Sequence, residues 1–96
     1  MPQVIITQTA LADIARLKDF LQSKDAQAAQ EANKAIIQAV QSLRHFPERG
    51  RSADWLDEHY RELVIKFGGT GYIAIYRIDG PKVFVLAVSH QKEAGY

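Results

Sequence analysis

Between Tyr60 and Val88 the chain reads three times as a strand and twice as a tight turn, and this segment limits the available folds more than any other. Tyr60 to Phe67 puts Leu63, Ile65 and Phe67 on one face and Glu62 and Lys66 on the other, the alternation of a half-buried strand. Gly68-Gly69-Thr70-Gly71 reads as a turn, Tyr72 to Ile78 as a second strand, and Asp79-Gly80-Pro81 as a second turn. Lys82 to Val88 carries apolar residues on both faces and is expected to lie inside the sheet, between neighbours. Turns this short make a three-stranded antiparallel meander. Such a sheet is not stable by itself, so the rest of the chain has to cover it.

The cover is legible upstream. From Ala10 to Gln22 the residues Ala10, Leu11, Ile14, Leu17, Phe20 and Leu21 recur at helical spacing, with Thr9 offered as N-cap and Asp13 near the positive end of the helix dipole. A polar break at Ser23 to Asp25 precedes a second helical run, Ala26 to Phe46, whose inward stripe is Ala29, Ala32, Ile36, Val40 and Leu43, and Pro47 ends it. So short a break makes the helices antiparallel neighbours, and the alanines at 28, 29, 32, 35 and 39 permit close approach. Gln3 to Thr7 reads as a short first strand, and Pro47 to Glu58 as a loop that Trp55 and Leu56 are expected to pin. The expected fold is therefore α+β: an N-terminal strand, an antiparallel helical hairpin and the meander, in one domain over residues 1–96 with the helices on one face of the sheet.

Composition narrows the function. Apolar residues make up 47% and charged residues 24% of the chain, as in an ordinary globular domain. With no cysteine and three histidines there is no thiolate nucleophile and little from which to build a metal site, so no metal and no cofactor is expected. The apolar run Val4 to Ile6 has neither a basic flank nor a cleavage pattern, which points to a cytoplasmic protein with no membrane partner. Twelve basic and eleven acidic side chains leave a net charge of +1, and no basic tail stands out in either half. A protein that lives by gripping phosphates shows a larger excess, so direct sequence-specific nucleic-acid binding is not expected.

Four features could carry chemistry. Gly68, Gly69 and Gly71 lie between strands rather than before a helix, so they read as a hairpin turn and not as a phosphate cradle. His90 stands just past the last strand, with a titration range suited to acid–base work, yet no nucleophile or paired acid lies at a spacing that recruits it. Arg44, His45, Arg49 and Arg51 form a local basic cluster, the first two placed to cap a helix and the other two free to meet an acidic partner or a phosphate. Tyr72 and Tyr76 share a face with Ala74 and Ile78, while Ile73 and Ile75 point the other way; if the isoleucine face is core, the tyrosines form an open aromatic platform.

The motifs Arg61-x-Leu63 and Tyr72-x-x-x-Tyr76-Arg77, and the hydrophobic strand ending at His90, together with Ala-Asp-Ile-Ala at 12 to 15, Leu43 to Pro47 and Gly50, resemble the RelE/ParE toxin superfamily over nearly the whole chain. That superfamily holds ribosome-dependent mRNA endonucleases and toxins that poison DNA gyrase without cutting RNA. The resemblance implies that the key arginine of the cleaving cluster falls on Ile73, one of its two strand lysines on Val64 and the second arginine on Gln91 beside Lys92, so that Lys66 alone survives, with Tyr96 as an approximate match for a C-terminal tyrosine. Phosphoryl chemistry needs positive charge aimed at the reacting centre, so this depletion favours the ParE-like branch.

The expected function is thus a type II toxin that binds DNA gyrase and traps its cleavage complex, neutralised by a cognate antitoxin with which it forms a hetero-oligomer and whose disordered tail folds along an apolar groove. Arg49, Arg51, Arg61, Tyr72, Tyr76, Arg77 and His90 are the residues expected to contact target or antitoxin, with no catalytic residue. The alternatives are an mRNA endonuclease using Lys66, His90, Lys92 and Tyr96, and an inactive toxin-fold protein that only binds its antitoxin.

Overall fold

A computed structural model describes residues 2–53 and 55–93. The element order is β1 (Gln3–Ile6), α1 (Gln8–Gln22), α2 (Ala26–Gln41), a 3₁₀ turn (Ser42–Arg44), β2 (Arg51–Ser52), β3 (Tyr60–Phe67), β4 (Thr70–Asp79) and β5 (Lys82–His90). The five strands form one mixed sheet in the order β1-β5-β4-β3-β2, with β1 parallel to β5 and the other pairs antiparallel. The meander is as expected and β5 is an interior strand. The turns are tighter than the glycine count implied, because β4 already starts at Thr70. Gly68 and Gly80 adopt φ values of 61° and 57°, the left-handed region that a two-residue hairpin turn requires at its first position.

Thr7 joins the sheet to the first helix. Its hydroxyl donates to the Val85 carbonyl (2.8 Å) and accepts from the Ala10 N–H (3.3 Å), so the helix starts one turn's edge earlier than Thr9 would allow. Asp13 does not serve the helix start; its carboxylate accepts the Val88 N–H (2.9 Å) instead. The second helix is capped by Asp25, whose carboxylate accepts from Gln27 and Ala28 (both 3.1 Å). It tightens to 3₁₀ geometry at Ser42 rather than running to Phe46, which is 66% exposed.

The core lies between the helices and one face of the sheet. Ala10, Ile14, Leu17, Ala32, Ile36, Val40 and Leu43 meet Leu63, Ile65, Tyr72, Ala74, Tyr76, Val83, Val85 and Val88 there. The tyrosine face of β4 is therefore the buried one, with Tyr72 3% and Tyr76 0% exposed, and there is no open tyrosine platform. Three further expectations change. Leu11 and Phe20 are 51% and 65% exposed, so the apolar stripe of the first helix is wider than the surface it packs against. Trp55 and Leu56 are 67% and 44% exposed and do not pin their loop. That loop contributes β2 instead, through the Arg51–Glu62 and Ser52–Arg61 pairs with β3.

Candidate functional site

The last strand carries the irregularity that shapes the site. Opposite β4, the register steps from Ile75–Ala87 to Tyr76–Val85, so Leu86 is left over as a bulge. A bulge reverses the side-chain alternation beyond it. Val83 and Val85 before it, and Val88 and His90 after it, consequently all share the helix-facing side, where Val88 stands opposite Ala74 and His90 opposite Tyr72. The Asp13 carboxylate holds the Val88 N–H just past the bulge. Without that extra residue, His90 would point to the far face of the sheet.

His90 instead enters a cleft of about 710 Å³ between the first helix, the β3–β4 turn and the end of β5. Leu17, Phe20 and Leu21 form one wall, and Phe67, Tyr72 and His90 the other. The His90 ring stands edge-on to Tyr72 at 5.4 Å between centroids. Its Nδ1 accepts from the Lys92 N–H (3.1 Å), which leaves the proton of the neutral ring on Nε2, 3.4 Å from the Thr70 hydroxyl. The rim is a chain of charge: Glu93 accepts from the His90 N–H (3.0 Å) and pairs with Arg16 (2.7 Å). That backbone hydrogen bond first, and then Arg16, hold the Glu93 carboxyl below its ordinary range. Arg16 is thus neutralised, leaving Lys92 as the other cation of the cleft.

At the opposite end of β4, Tyr76 does something different. Its hydroxyl donates to the Pro47 carbonyl (2.7 Å) and accepts from the Gly50 N–H (2.8 Å). The Arg61 guanidinium, from the facing position on β3, donates to the carbonyls of Gly50 (2.7 Å) and Glu48 (3.3 Å). Arg49 donates to the Ser42 hydroxyl (2.6 Å), and Arg51 pairs with the nearly buried Glu62 (2.5 Å). These contacts tie the loop after the second helix to the sheet. Of the seven residues expected to contact a partner, Arg49, Arg51, Arg61 and Tyr76 are engaged in holding the fold. Burial raises the phenol of Tyr76 above its ordinary value, partly offset by the Gly50 N–H; burial alone raises that of Tyr72, whose hydroxyl has no hydrogen-bond partner among the described residues.

The remaining candidates divide between two faces. Tyr72, His90 and Lys92 line the cleft, whereas Lys66 is exposed on the other face of the sheet, as is Arg77. The set Lys66, His90 and Lys92 is not brought together, and Tyr96 lies outside the described residues. Beside Lys66, where the resemblance put an arginine and a second lysine, are Ile73, 2% exposed, and its cross-strand partner Val64. The side chains of Arg44 and His45 make no hydrogen bond to the described helix-end carbonyls, and His45 packs against Phe46 at 6.4 Å. Among the described residues no cluster of acids and histidines could hold a metal ion, and no helix is long and apolar enough to cross a membrane. Sequence reasoning missed Arg16, Thr70 and Glu93. Arg16 and Glu93 meet across 77 positions, and only the Leu86 bulge sets the register that brings them to His90.

Residues 4–95 match the family described as the ParE toxin of the type II toxin–antitoxin system parDE. The chain is 33% identical over 90 residues to Toxin RelE1 of Caulobacter vibrioides, covering 94% of each, and 32% identical over 90 residues to Toxin RelE2 of the same organism, covering 94% of this chain and 96% of that one. Its fold is similar to a chain of the chromosomal ParDE system from P. aeruginosa (TM-score 0.78, 20% identity, 94% and 96% covered). It is also similar to a chain of the RelBE2 toxin–antitoxin complex from Mycobacterium tuberculosis (TM-score 0.63, 23% identity, 94% and 99% covered).

Proposed function

Because this chain belongs to the ParE toxin family of type II toxin–antitoxin systems, we propose that it acts by binding DNA gyrase and trapping it during DNA cleavage, and that a cognate antitoxin restrains it. The observation that carries this reading is the Val64–Ile73 pair. An RNA-cleaving toxin has to stabilise the charge that builds on a phosphate, and each well-placed donor at such a centre contributes roughly 10²–10³ in rate. Here the expected cationic positions hold two aliphatic side chains, Lys66 stands alone beside them, and His90 faces the opposite side of the sheet. Of the two cations that share the cleft with His90, Arg16 is paired with Glu93, so among the described residues only Lys92 is left there to meet a phosphate.

The cleft beside His90 supports the second half of the proposal. Its walls are apolar, Phe20 is largely exposed at its edge, and its volume of about 710 Å³ suits several large side chains of an amphipathic segment. An antitoxin tail that orders on binding would place its apolar residues there and meet Lys92 with a carboxylate.

The test is a supercoiling and DNA-cleavage assay with purified toxin, run beside a ribosome-programmed mRNA cleavage assay. Loss of supercoiling with accumulation of cleaved DNA, and intact mRNA, is the expected result. Cut mRNA with unaffected gyrase would overturn it and make His90 the leading catalytic candidate. Inactivity in both assays would favour a protein that only binds its antitoxin.

A further inference from the structure

With both helices packed on one face of the sheet, the strand register lines up a row on the other: Ile5, Phe84, Arg77 and Tyr60, one each from β1, β5, β4 and β3. Ile75 and Val64 continue the surface in the rows behind it. Ile5, Phe84, Tyr60, Ile75 and Val64 are all partly exposed, and Arg77 is exposed. Arg77 thus takes the position between two aromatic residues in the register, on a mostly aliphatic field.

The charge of Arg77 is the unusual element. Arg16, Arg49, Arg51 and Arg61 each have a carboxylate, hydroxyl or carbonyl to donate to, whereas the side chains of Arg44 and Arg77 make no hydrogen bond or ion pair within the described residues, and of these two only Arg77 stands on the sheet. The acid of the next row, Glu62, is held by Arg51. Asp79, two positions along β4, stands opposite Lys82. Tyrosine, phenylalanine and arginine are the types that dominate binding energy at protein interfaces, and arginine loses little freedom when it makes a two-pronged contact. A buried arginine is costly unless a carboxylate meets it.

We infer that this row is the surface by which the toxin grips its target protein, with Arg77 as the anchor and, on the target, a carboxylate set among apolar groups as the complement. This rests on the gyrase reading above and adds the residues that would perform it. The other exposed cation of this face without a facing acid, Lys66, lies six residues along β3 from the Tyr60–Arg77 pair, and two cations so far apart do not suit a polyanion, whose binding grows with the number of phosphates neutralised. The arrangement also gives the two partners separate sides of the molecule, the antitoxin at the helix-side cleft and the target on the open sheet face.

The test uses full-length Arg77→Glu, Arg77→Lys and Lys34→Glu toxins, the last making a charge reversal on the exposed side of the second helix. Each is titrated against gyrase for accumulation of cleaved DNA, against the antitoxin for affinity, and against a single-stranded RNA oligonucleotide. Arg77→Glu is expected to need about tenfold more toxin or beyond, the scale of an interface anchor, with antitoxin affinity kept within about twofold. Arg77→Lys, which keeps charge and fold but not the two-pronged contact, is expected to lose part of the potency, and Lys34→Glu none. Unchanged potency of both Arg77 variants, where the unmutated toxin does poison gyrase, would overturn this inference alone. Equal loss of antitoxin affinity, or oligonucleotide binding that Arg77→Glu abolishes, would also overturn it by assigning the row to another partner. If the unmutated toxin leaves gyrase untouched, the functional reading fails first and this inference falls with it.

Discussion

Tyr72 and Tyr76 lie four residues apart on one face of one strand, both deeply buried, and their hydroxyls have opposite fates. That of Tyr76 is saturated, donating to Pro47 and accepting from Gly50, within a cluster that Arg61 closes from the facing strand. That of Tyr72 has no partner among the described residues and lies at the wall of an open cleft beside His90. The difference teaches that a recognisable motif need not mark a binding surface. Arg61, Gly50 and Tyr76 carry much of the family resemblance, and all three serve to fasten the loop after the second helix. The end of the strand that opens on the cleft has a chain of contacts assembled from distant parts of the sequence.

The sharpest way to break this comparison is at Gly50. A Cβ there would lie 2.7 Å from the Glu62 carbonyl oxygen and 2.7 Å from both Cε1 and the hydroxyl of Tyr76. Two of those contacts are a strand backbone and a fully buried ring, neither of which can yield. Gly50→Ala is expected to destabilise the fold by about 3 kcal/mol, measured by urea denaturation with unchanged m-value. A loss below about 0.5 kcal/mol would mean the loop is not fastened there.

Next come the two hydroxyl deletions. Tyr76→Phe leaves the Gly50 N–H and the Pro47 carbonyl without their partner in a buried setting and is expected to cost about 2 kcal/mol. Tyr72→Phe removes a hydroxyl with no hydrogen bond and is expected to stay within about 0.5 kcal/mol of the parent. Equal effects would erase the distinction between the two ends of the strand. Both phenols titrate higher in the fold than in the unfolded chain, so their contribution is complete below pH 10 and is lost as pH rises through the folded values.

The smallest effect belongs to the rim of the cleft. The Glu93 carboxyl is held below its ordinary value of 4.5 by the His90 N–H and Arg16, so its contribution is complete above that value and fades as pH falls through the lower folded one. Both partners of the ion pair are about half exposed, which keeps the contribution small. Glu93→Gln is expected to flatten stability against pH only below about 4.5. A loss at neutral pH larger than that of Tyr72→Phe would show that the ion pair of the rim fastens the cleft end of the strand.

Much of the fold could be read directly. The inward stripe Ala29, Ala32, Ile36, Val40 and Leu43 is buried throughout, because a helix against a sheet has one face to hide and 3.6-residue periodicity displays it. The strands of the meander were equally clear. What went astray were choices between faces. The alternation of β4 separated tyrosines from isoleucines but could not say which side the helices would take, and the helices took the tyrosines. The exposed Trp55 and Leu56 show the same limit, since a large apolar side chain in a loop is a candidate anchor by type and an actual one only if a surface lies within reach.

Residue type and local periodicity were enough for the first strand, the two helices and the meander in their order, and the resemblance for the family and the depletion of basic residues at Val64 and Ile73; β2 was not among them. Only the tertiary structure decided that Leu86 is a bulge, that His90 and Lys66 therefore face opposite sides of the sheet, and that Arg77 stands between Phe84 and Tyr60. Side-chain direction in a strand has a period of two, so one unpaired residue, with the Val88 N–H just beyond it held by Asp13 from 75 positions away, reverses every assignment beyond it.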